Sequence, residues 1–150
     1  MGKNRVKDPG EAAESAGGTG GLLRFSRIAY AALAWIFVAC VVCQVFLAGM
    51  AVFVDPLNWL RHVSFVHLFG ELPVLMLLFA FAGRMPKGDG YYLGPVILFT
   101  LIAIAYATAD AGRSVVGALH PVNALVTAGF SFRLAQKVGR FTISALEARS

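Results

Sequence analysis

His67 and His120 stand out in a strongly apolar sequence, each with a second polar residue one helical turn away. Glu71 lies at i+4 from His67 and Asn123 at i+3 from His120, so on helices each pair would line one face. Three chemistries suit such a set. Two facing imidazoles can hold a b-type haem as axial ligands, with Glu71 and Asn123 orienting the rings or binding a propionate. His67, Glu71 and His120 can instead bind a divalent metal ion, with Asn123 assisting. Glu71 and the histidines can also carry protons in a small transport component. A reading without any ligand competes with these: an interhelical hydrogen-bond network in a structural or assembly subunit, worth ~0.6 kcal/mol per contact on average.

Small residues accompany the histidines. Gly70 is at i+3 from His67 and Gly117 at i−3 from His120, and Gly49 and Ala105 are expected at the same level on the two other helices. Such a ring would give clearance for a flat macrocycle, and it would equally let helices approach closely. Pro73 and Pro121 remove backbone donors beside the same residues, which predicts a kink near each histidine, or a helix starting close to His120. Gln44 is a further polar residue in the apolar interior. Cys40 and Cys43 read as small hydrophobes, because a thiolate is disfavoured deep in an apolar helix. His62 is five residues from His67 and reads as a loop residue off that face. No nucleophile elbow, phosphate loop or catalytic triad pattern is visible, so the sequence offers no catalytic residue.

The elements that must position these residues follow from hydropathy. The chain has 150 residues, 58% hydrophobic and 14% charged, with two cysteines. That is too little charge to cover a water-soluble domain of this size, and too few cysteines for a disulfide scaffold. Four apolar runs at about 28–54, 63–83, 91–109 and 115–135 each approach the ~20 residues needed to cross the hydrocarbon. Lipid offers backbone groups no partner, so each run is expected to be a helix. The short connections 55–62, 84–90 and 110–114 favour antiparallel neighbours. The expected fold is all-α, an integral membrane up-down four-helix bundle over residues 23–140. A glycine-rich, charged, disordered tail is expected over residues 1–22 and a C-terminal tail over 141–150.

Eleven of the thirteen Lys and Arg residues fall on one side of this arrangement, against Arg61 and Arg113 on the other. The bias predicts cytoplasmic termini and a multi-pass protein of the inner (plasma) membrane. The net charge of +5 is then a topology signal, and the expected surroundings are a lipid bilayer and a redox partner or membrane-complex subunit, not a nucleic acid. With that orientation His67 lies roughly 6 Å and His120 roughly 7 Å below the outer end of its helix, at matched depth.

Phe46-Leu47-Ala48-Gly49 with Val52-Phe53, His67 with Gly70, and Ala118-Leu119-His120-Pro121-Val122-Asn123-Ala124-Leu125 resemble a family of small bacterial four-helix membrane proteins with no assigned activity. The resemblance covers about residues 42–135, and its most specific part is the last stretch. More loosely, the arrangement is similar to four-helix b-type membrane cytochromes. That similarity implies one haem held by His67 and His120 for electron transfer or redox sensing. The second histidine pair of two-haem members is missing from the sequence.

Overall fold

The computed structural model describes residues 9–148, with side chains from residue 20 onward. It is all-α: the described residues form α1 (Pro9–Phe53), α2 (Asn58–Phe69), α3 (Leu72–Ala82), α4 (Leu93–Asp110) and α5 (Leu119–Glu147), with no strand among them. α2 and α3 are two halves of one rod, Asn58–Ala82, so the chain forms a four-helix bundle as expected. α1 packs against α5, α2 and α3, while α4 packs against α3 and α5. The helices therefore form a ring in which the α2–α3 rod and α5 occupy diagonal corners.

The rod breaks at Gly70 and Glu71, where the helix pattern gives way to a turn. Pro73 explains the place. It has no N–H for the Phe69 carbonyl, and Val74 N instead closes a tight turn on Glu71 O at 3.0 Å. At the other proline, α5 starts at Leu119, two residues before Pro121, after turns through Val115–Ala118. Pro121 thus sits in the first turn, where a missing donor costs little.

Three helical stretches are long and apolar enough to cross a membrane: Gly20–Phe53, Asn58–Ala82 and Leu93–Asp110. By length and composition three stretches qualify where four were expected; α5, which packs along α1 and α4, falls short because it carries Asn123, Thr127, Ser131, Arg133, Gln136, Lys137, Arg140 and Thr142. Its polarity is arranged inside-out. Asn123, Thr127, Ser131 and Thr142 are buried against the bundle, whereas Val122, Leu125, Val126 and Phe132 are exposed. The buried hydroxyls return their protons to their own helix, Thr127 to Asn123 O at 2.8 Å and Thr142 to Val138 O at 2.8 Å, so burial leaves no orphan donor.

Element bounds differ from the expected ones at three places. α1 begins at Pro9, within the stretch read as a tail, where Glu11–Ala16 is rich in helix formers. Residues 1–8 of that stretch lie outside the described residues. α5 continues to Glu147, past the expected end of the domain. α2 begins at Asn58, not near Val63, and that shift moves His62 from a connection into a helix.

Large apolar side chains face outward along the whole bundle, among them Phe53, Leu68, Leu78, Phe81 and Leu125. A water-soluble monomer rarely exposes so continuous an apolar surface, and lipid is the solvent that matches it. Inside, Tyr30, Phe37, Met76, Leu98 and Val138 are fully buried. Gly94 lets α4 meet α5: a Cβ there would stand 2.7 Å from a Leu134 methyl.

Candidate functional site

The two ends of the bundle differ in chemistry. At one end α1, the turn after α3 and α5 converge through basic and aromatic side chains. Arg27 Nε donates to Gly83 O at 2.9 Å and its guanidinium lies 5.3 Å from the centre of the Phe141 ring. Tyr30 Oη donates to Tyr91 O at 2.6 Å, and Lys137 reaches Asp89 O with its ammonium 5.1 Å from the Tyr91 ring centre. Burial, with Asp89 second, raises the Tyr91 hydroxyl above its ordinary pKa. The turn is tight enough to hold Gly88 and Gly90 at positive φ, 93° and 77°, where a side chain would be strained.

The other end holds the polar residues singled out by the sequence. His120 Nδ1 lies 3.0 Å from Ala105 O and 3.2 Å from Thr108 Oγ1, both on α4. Asn123 Nδ2 donates to Leu101 O at 2.9 Å, one turn further along the same helix. His120 and Asn123 thus bind a single strip of α4, as their shared face required.

His67 does something else. It is exposed, with Nδ1 3.2 Å from Tyr106 Oη and the two ring centres 5.3 Å apart. Tyr106 points from a different flank of α4 than Ala105 and Thr108, because successive helix positions are rotated by about 100°. Among the described residues His67 and His120 make no contact with each other. Glu71 is exposed in the turn between α2 and α3. No group of three or more His, Cys, Asp or Glu residues able to hold a metal ion occurs among the described residues, so His67, Glu71 and His120 do not assemble as the metal reading required.

The expected partner is replaced by one that sequence reasoning set aside. His62, half-buried on α2, faces His120 with ring centres 6.3 Å apart and planes at 63°. Its Nδ1 lies 3.1 Å from Gln44 O, and Gln44 Nε2 donates to His62 O at 2.9 Å, a reciprocal pair joining α1 to α2. Trp59 stands edge-on to the His62 ring at 5.3 Å. Asp55-Pro56 followed by Asn58 was the available signal for an early start of α2. Asp55 Oδ1 accepts from Leu57 N at 2.9 Å, and Asn58 Nδ2 donates to Asp55 O at 3.0 Å.

Haem clearance can be tested at the small residues. A Cβ at Gly70 would meet Val66 O at 2.9 Å, with Ile102 and Tyr106 at 3.8 Å, and one at Gly117 would meet Gly112 O at 2.0 Å. These glycines are filled by close backbone approaches within the fold. Gly49 alone of the three faces open space, and the Ala105 carbonyl is occupied by His120. The clearance expected at Gly70 and Gly117 for a macrocycle is therefore taken by the fold itself. Two clefts lie elsewhere, one lined by Leu23, Arg24, Arg27 and Thr142, the other, more open, by Trp35, Gln136, Gly139 and Arg140. Cys40 and Cys43 are free thiols on α1.

Residues 44–112 match a family of unknown function, DUF6220, over slightly less than half of the chain. The matched stretch contains Gln44, His62, His67, Glu71 and the α4 residues that receive the histidines, and it ends before the Ala118–Leu125 stretch. No curated protein and no solved structure matches the chain. Fold and comparison together describe a small, helical, multi-pass membrane protein similar in its middle section to that family.

Proposed function

We propose that the protein is a structural or assembly subunit of the inner membrane, with both termini cytoplasmic, whose polar side chains fix helix register for a membrane partner. One observation carries this reading. His120, Asn123, Gln44 and His62 each bond a backbone carbonyl on a neighbouring helix. Donors used in this way cannot be orphaned in lipid, and they set the vertical offset between helices, which apolar contact alone leaves free. The orientation rests on the basic end, where Arg27 and Lys137 gather around the turn carrying Arg84 and Lys87.

The test is partner capture. A photo-crosslinking residue placed at exposed Leu125 or Phe132 in living cells should trap one defined membrane protein, and Asn123→Ala should reduce that product together with thermal stability. Recovery of crosslinks to lipid alone would overturn the reading. So would a Soret band in protein purified from haem-replete cells, or a proton flux in liposomes that Glu71→Gln abolishes.

A further inference from the structure

The outer polar cluster contains a pair of donor atoms that helix register does not use. His62 and His120 come from diagonal corners of the bundle, yet their rings meet at 6.3 Å between centres. In each ring one nitrogen is engaged by a backbone carbonyl, Gln44 O for His62 and Ala105 O for His120. A carbonyl oxygen only accepts, so Nδ1 must carry the proton in both rings. Thr108 agrees: its hydroxyl proton goes to Ile104 O at 2.8 Å, which leaves Oγ1 to accept from His120 Nδ1. The neutral tautomer fixed in this way puts a lone pair on Nε2 of each ring, the arrangement by which a backbone carbonyl orients a metal-binding imidazole. Neither Nε2 has a hydrogen-bond partner among the described residues.

The donor set selects the ion. Two neutral imidazoles with no third His, Cys, Asp or Glu offer no charge to offset a divalent cation in an apolar surrounding, and they cannot complete a tetrahedral zinc site. A monovalent ion content with two nitrogen ligands in line meets both conditions, and imidazole suits copper. With each Nε2 turned toward the other ring, two in-line metal–nitrogen bonds of about 2.0 Å plus the distance from each Nε2 to its ring centre span about 6 Å. In-line coordination also tolerates any twist between the rings, so planes at 63° present no obstacle.

We propose that His62 and His120 together bind one Cu(I) ion between their Nε2 atoms. The site goes beyond the register role, which uses Nδ1. The experiment is an anaerobic titration of the full-length protein in detergent with Cu(I), against a chromophoric Cu(I) chelator. One ion per chain is expected, with His62→Ala and His120→Ala each weakening retention at least tenfold and His67→Ala leaving it unchanged. X-ray absorption of the loaded wild-type protein should show two imidazole nitrogens at about 2 Å and nothing closer to four-coordination. That spectrum decides the matter even where an alanine variant fails to fold. No retained copper, retention by His62→Ala equal to wild type, or three or more ligating atoms would overturn the site. The register reading survives those results, because it is read from Asn123→Ala stability.

Discussion

Asn123 and His67 show at the level of single residues how much depends on where a polar group points. Asn123 is buried and gives its amide proton to Leu101 O, whereas His67 is exposed beside Tyr106. Interhelical hydrogen bonds in membranes average about 0.6 kcal/mol and reach about 1.7 kcal/mol. Asn123→Ala should therefore lower stability in detergent by that order, read from thermal unfolding. His67→Ala, at an exposed position, should change stability by less than about 0.5 kcal/mol. An equal loss from both substitutions would contradict the burial difference. The pairing of His120 with His62 was not legible because it depends on the start of α2. With a connection assumed through residue 62, His62 has no helix face, and a start at Asn58 gives it one.

Elements impose their own constraints, most clearly at the break between α2 and α3. Gly70 precedes Glu71 in the turn, and a Cβ there would stand 2.9 Å from the Val66 carbonyl oxygen. Backbone cannot swing aside as a side-chain tip can, so Gly70→Ala should destabilise by about 1–3 kcal/mol. Gly94→Ala faces flexible Leu134 methyls at 2.7 Å and 2.8 Å, and repacking of that side chain should keep its cost below that of Gly70→Ala. Paired melting curves of the two variants check the order. Pro73 and the break beside it were readable from the chain, as was the helical nature of all four runs. The two-sided character of α5 was not: an apolar count over 115–135 ignores that its polar residues repeat on one side and its apolar residues on the other.

For the whole molecule the decisive quantity is the separation of charge between the two ends. With Cys40 and Cys43 replaced by serine, a single cysteine at Lys87 should be labelled by a membrane-impermeant maleimide only after the cells are opened. A cysteine at Arg113 should be labelled in intact cells. The reverse pattern would invert the topology while leaving the fold intact. In the proposed orientation the His62–His120 pair lies at the outer end, away from the basic cluster, so copper added to sealed cells should reach it without crossing the bundle.

Composition and periodicity alone determined the solvent, the helices, the short antiparallel connections and the segregation of basic residues. Each of these depends on local or summed properties of the chain: transfer free energy, backbone hydrogen bonding and charge near a membrane surface. Only the tertiary structure decided which imidazoles meet. The rotation of a helix about its axis, and a start shifted by five residues, alter neighbours across the bundle without altering hydropathy. His120 consequently faces His62, His67 turns to Tyr106, and the glycines beside the histidines are filled by the protein's own backbone.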